Sequence, residues 1–135
     1  MNLPDSLKPC TDKSIEMFKH AADEIIEKAV SITMDSIADA KQMGSDAREK
    51  IISGFHMIHY MLESIMIIGD PALMTDQLNW GKDRLSTQGI SPHFVLSTLE
   101  IYRDIINRVL PGENAVEIIP YIKWMIDYQK LLINT

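Results

Sequence analysis

One cysteine, Cys10, is all that the 135 residues contain, so no disulfide can form within the chain and the fold must rest on its core. Cations are short as well. Thirteen Lys and Arg against nineteen Asp and Glu leave a formal charge of −6, and no segment clusters the basic side chains that hold a phosphate backbone, so no nucleic-acid partner is expected. The longest wholly apolar run is Ile65 to Ile68, far below a bilayer span, and no membrane partner is expected either. The first residues, Met-Asn-Leu-Pro-Asp, lack the basic and apolar segments of a secretory leader, and the chain is expected to be cytoplasmic. There is no Gly-x-Ser-x-Gly, no phosphate-cradling glycine loop, no zinc-type Cys or His cluster and no Glu-x-x-His, so neither an enzyme nor a metal site is expected.

What is present is helical periodicity around a central stretch. From Ile51 the apolar positions Ile51, Phe55, Ile58, Leu62 and Ile65 recur at intervals of 4, 3, 4 and 3, one face of a helix, with Met57, Met61 and Ile68 to one side. Met1 to Thr11 has Pro4 and Pro9 and no periodicity, so it reads as an arm that is ordered only by docking. Asp12 to about Gln42 reads as one long helix, broken if anywhere in its second half, with Ile15, Phe18, Ala22, Ile25, Ala29 and Ile32 on its inner face. Such a helix would run roughly 45 Å at 1.5 Å per residue, longer than a domain of this size needs. Its second apolar set, Met17, Ile26, Val30 and Ile37, is therefore assigned to a homodimer interface.

Two corners share one grammar. In Gly69-Asp70-Pro71 and in Gly89-Ile90-Ser91-Pro92, a glycine suits the left-handed position after a helix, Asp70 or Ser91 the cap of the next, and proline its first turn. Gly81 inside the intervening helix is read as allowing close approach of another backbone. The helix from Phe94 to Val109 follows, and Pro111-Gly112 ends it. Pro120 is expected to interrupt or kink the last helix, which runs to about Ile133.

His56, His59 and Glu63 share a helical face and are read as a polar or interfacial stripe rather than a metal set. A pocket between helices is expected to draw on Phe55, His56, His59, Tyr60, Trp80, Arg84 and Tyr102, with nine methionines in the chain to make its walls adaptable.

The run His59-Tyr60-Met61-Leu62-Glu63-Ser64-Ile65-Met66-Ile67-Ile68-Gly69-Asp70-Pro71, and the spacing on to Arg84-Leu85-Ser86-Thr87-Gln88-Gly89-Ile90-Ser91-Pro92, resemble the phycobiliprotein branch of the globin-like fold. The resemblance implies a globin-like bundle and pairing through N-terminal helices. It also marks departures: counting back from Gly69-Asp70, the family's chromophore-attaching cysteine falls on Ile51, its arginine on Ser53 and its aspartate on Gly54. Without a thiol no thioether to a bilin can form there. The helix from Ala72 to Thr87 also lacks the proximal histidine of a haem globin.

The expectation is therefore an all-α, globin-like bundle of about five to seven helices over residues 12–135, behind an arm of residues 1–11. It would act as a non-enzymatic binding, sensing or assembly module that homodimerises through its N-terminal helix, with a signalling or assembly protein as a further partner. The alternative is a protein that binds a tetrapyrrole, bilin or haem-type, noncovalently.

Overall fold

In a computed structural model, which describes residues 3–36, 40 and 44–134, the capping signals delimit six helices among the described residues. These are α1 (Asp12–His20), α2 (Ala22–Ser36), α3 (Ala47–Met66), α4 (Thr75–Thr87), α5 (Pro92–Val109) and α6 (Gly112–Ile133), with a 3-10 turn at Pro71–Met74 before α4. No strand occurs among the described residues, so the class is all-α.

Local chemistry accounts for the boundaries. Thr11 Oγ1 accepts from Ser14 N at 3.3 Å to start α1, and Ser91 Oγ accepts from Phe94 N at 3.0 Å to start α5 with Pro92 in its first turn. Asp70 Oδ1 accepts from Ala72 N at 3.1 Å, but the turn that it caps is 3-10, and the α-helix begins only at Thr75. Gly89 sits at φ +80°, and Ile90 N donates to Leu85 O at 2.9 Å, the six-to-one bond of a Schellman closure.

The long α5 and α6 form the most extensive helix pair; α2 crosses α5 and α3, and α1 bridges α6 and α3. The inner stripe of α3 is as the periodicity predicts, with Ile51, Phe55, Leu62 and Ile65 buried and Ile58 partly so. Phe18, Ile25, Leu99, Tyr102, Ile106 and Tyr121 close the centre of the core with no exposed surface to speak of.

The arm docks on its own domain. Leu7 N donates to Gly69 O (2.8 Å), Cys10 N to Met66 O (3.0 Å), Trp124 Nε1 to Pro4 O (3.0 Å) and Tyr121 Oη to Lys8 O (2.9 Å). The Cys10 thiol is pushed up to about 11, chiefly by burial, and is an unreactive core group. Glu117 on α6 locks the arm to α1: its carboxylate accepts from Thr11 N (2.8 Å), from Thr11 Oγ1 (3.1 Å) and from Ser14 Oγ. Those bonds, the one from Ser14 first, hold Glu117 below the ordinary carboxylate range. Its contribution to stability is thus complete above that range and is lost as pH falls through the lowered value.

Four expectations need correction. The N-terminal helix breaks in its first half, at Ala21 (φ −86°, ψ 0°), because its two pieces pack on different neighbours: α1 on α6 and α3, α2 on α5 and α3. Its length from Asp12 through Ser36 is therefore used inside the domain. Ile26 and Val30 are 4% and 1% exposed in this single chain, so neither forms an interface with a second copy; Met17 is half-buried against the core, and Ile37 lies outside the described residues. Pro120 does not interrupt α6. The carbonyl deprived of its donor belongs to Val116, a residue 68% exposed, and Cys10 Sγ donates to the neighbouring Glu117 O (3.3 Å). Finally, no backbone approaches Gly81: a Cβ there would meet only the Leu85 side chain, at 3.8 Å.

Candidate functional site

Helix α4 packs on α5 and α6 but hardly touches α3, and Leu78 is its only buried side chain. The gap between α3 and α4 is a cavity of about 500 Å³, open to solvent on one side. This is the size range of small-molecule sites. Its inner wall is apolar: Ile51 and Phe55 from α3, Leu78 from α4, Phe94 and Leu99 from α5 and Met125 from α6. Met57, Met61 and Trp80 line the outer part, where Lys50, Lys82 and Arg84 bring cations and Asp46 and Glu49 carboxylates.

Two glycines inside helices line this cavity from opposite sides. A Cβ at Gly54 of α3 would meet nothing within 4 Å, and one at Gly81 of α4 only ordinary contact. Glycine within a helix is about 0.5–1 kcal/mol less favourable than alanine. Neither position needs a left-handed backbone, and no neighbour packs against either, so what both supply is open volume.

The seven side chains expected to share a pocket fall into three places. Phe55, Trp80 and Arg84 meet in the cavity, with Arg84 Cζ 4.6 Å from the centroid of the Trp80 ring, a cation–π contact. His56 and Tyr60 point to solvent, Tyr60 72% exposed, and do not line it. His59 and Tyr102 are buried deeper, behind Phe55, whose ring lies 5.7 Å from that of Tyr102.

His59 is therefore a core group rather than part of a solvated stripe. Its ring stacks on Phe18 at 3.8 Å, Nε2 lies 3.0 Å from Phe18 O, and Nδ1 is hydrogen-bonded to Tyr102 Oη. A carbonyl only accepts, so Nε2 carries the proton and Tyr102 donates to Nδ1. Burial lowers the imidazole to about 4, overcoming the Phe18 carbonyl, which raises it; nearby His56 lowers it further and Asp23 raises it. Burial also raises Tyr102 well above its ordinary value, so the phenol keeps its proton. The pair is a satisfied polar contact that fixes how α3, α5 and α1 meet. Glu63 Oε1 lies 3.4 Å from His59 Nε2, but no group of three or more potential metal ligands converges among the described residues.

Sequence periodicity did not single out Leu78, Phe94, Leu99 or Met125 as pocket residues, because each looks like ordinary core at helical spacing, and Gln129 gives no apolar signal at all. The available signal was the pair of glycines inside helices, Gly54 and Gly81. Neither a protein-family model nor a curated protein matches this chain.

Proposed function

We propose that this protein is a non-enzymatic binding module whose ligand occupies the cavity between α3 and α4. The observation that carries this reading is a largely apolar cavity of about 500 Å³ lined by two glycines inside helices. A slot lined by Phe55, Leu99 and Met125 leaves apolar surface uncovered, and an apolar ligand gains by covering it. Among the described residues the lining holds no His or Cys, and its one serine, Ser53, lies on the outer part.

The test uses N-phenyl-1-naphthylamine, a neutral fluorophore that brightens in apolar sites. The wild type is expected to bind it, and Gly81→Phe to lose binding while melting at a higher temperature. The substitution fills the mouth of the slot and gains about 0.3–0.5 kcal/mol of helix propensity, since phenylalanine is a better helix former than glycine though poorer than alanine. A Gly81→Phe variant that binds the probe as the wild type does would remove the cavity as the site. A visible absorption band on protein from a haem- and bilin-producing host would favour the tetrapyrrole reading.

Self-association is the second reading, favoured by an exposed apolar stripe rather than by the N-terminal helices. Met57, Tyr60, Ile67 and Ile68 are each more than half exposed along α3 and its end. Light scattering at micromolar concentration should then give twice 15.4 kDa, with Tyr60→Lys returning the monomer mass. A wild-type mass of 15.4 kDa removes this reading.

A further inference from the structure

The polar groups of the cavity are not evenly spread. On its deep side Thr98 Oγ1 donates its one hydrogen to Val95 O at 2.7 Å and Gln129 Nε2 donates one of its two to Pro92 O at 3.0 Å, and both residues are buried. Few donors are left for a polar ligand group placed there, and a polar group left unpaired in a buried site is unfavourable. Hydrocarbon carries no such penalty. The lining follows α3 from Asp46 to Met61, which at 1.5 Å per residue is about 22 Å. The slot is therefore long as well as apolar, and suits an extended chain.

The mouth has the opposite character. Lys50, Lys82 and Arg84 stand against Asp46 and Glu49, a positive balance on a chain whose formal charge is −6. Asp46 is occupied by Lys50 at 3.3 Å, whereas Arg84 makes no ion pair among the described residues. Its guanidinium lies over the Trp80 ring, and that stacking uses the face of the group and leaves its N–H edge available to a carboxylate. No His or Cys lines the cavity to hold the iron of a haem, and its two carboxylates lie on the first turn of α3 or just before it rather than along the slot.

Building on the cavity as the ligand site, we propose that its occupant is a long-chain carboxylate, with the single apolar chain lying along the slot and the carboxylate held by Arg84 over Trp80. The carboxylate is ionised at neutral pH, so it supplies the anionic partner that Arg84 does not have among the described residues.

Displacement of bound N-phenyl-1-naphthylamine at pH 7 tests this, with hexadecanoate, hexadecanol and hexadecyltrimethylammonium as competitors below their aggregation concentrations. Hexadecanoate should displace the probe at a concentration about tenfold or more below that of the trimethylammonium compound, the scale of one charge-assisted contact. Arg84→Gln, at an exposed position where folding is not at risk, should weaken hexadecanoate about tenfold and leave hexadecanol unchanged. Equal displacement by all three competitors, an Arg84→Gln variant with unaltered selectivity, or tighter displacement by haemin or biliverdin overturns the carboxylate assignment while leaving the cavity reading intact. A wild-type protein that binds neither probe nor hexadecanoate overturns both.

Discussion

Gly69→Val is expected to lower the unfolding free energy by about 3 kcal/mol or more, the largest effect of any single change outside the deep core. Two independent faults combine. Gly69 has φ +79°, which a β-branched residue adopts only under strain, and a Cβ there would lie 2.5 Å from Leu7 O and 3.2 Å from the Pro9 ring. The second fault pushes away the backbone that docks the arm, so the Leu7–Gly69 and Cys10–Met66 bonds go with it. Release of the arm also frees Trp124, 5% exposed and bonded to Pro4 O, which gives the measurement a local readout. Denaturant unfolding followed by tryptophan fluorescence should show a lower midpoint and a red-shifted native spectrum. Gly69→Ala, with the same overlap and less backbone strain, should fall between the two proteins. A wild-type midpoint for Gly69→Val would mean that the arm does not dock on this corner.

Acid should destabilise the protein well above the ordinary carboxylate range. His59 has its folded pKa lowered from 6.5 to about 4, so between those values the unfolded chain binds a proton that the folded chain refuses. Stability is complete above pH 6.5 and falls as pH drops towards 4, by up to about 3 kcal/mol across the window. Glu63, 3.4 Å from Nε2, has its own pKa raised by burial and works in the opposite sense, trimming the loss. Glu117 acts only at lower pH, since its pKa is held below the ordinary value. Denaturation midpoints at pH 7.5 and 4.5 measure the loss, and a proton NMR titration of the imidazole locates it. Tyr102→Phe removes the donor to Nδ1 and should cost about 1–3 kcal/mol already at pH 7, because it leaves a buried acceptor unpaired. Midpoints that stay constant from pH 7.5 to 4.5 would place His59 in solvent.

Helix ends were legible in the sequence because capping is local. Ser91 reaches Phe94 N three residues on, Asp70 reaches Ala72 N two residues on, and Gly69 and Gly89 take up the left-handed turn wherever their helices lie in space. The inward stripe of α3 was legible for the same reason, since periodicity reports one helix at a time. Two of the four residues assigned to a homodimer interface were misread on the opposite ground. Ile26 and Val30 form an apolar set on α2, but only the tertiary structure shows that α5 and α3 cover that helix. The continuity of α6 through Pro120 was likewise visible only in the structure, where Val116, whose carbonyl loses its donor, lies on an exposed part of the helix.

The sequence by itself determined that the chain is helical, where most of its helices start and stop, that no disulfide lies within it, and which face of α3 turns inward. Only the tertiary structure decided that His59 is a core group hydrogen-bonded to Tyr102, that Trp80 and Arg84 stand together at the mouth of a cavity, and that Gly54 and Gly81 both line it. Helix formation follows from bonds between residues three to five apart, whereas a cavity is the space left where two helices fail to meet, a property of their relative placement that no single segment carries.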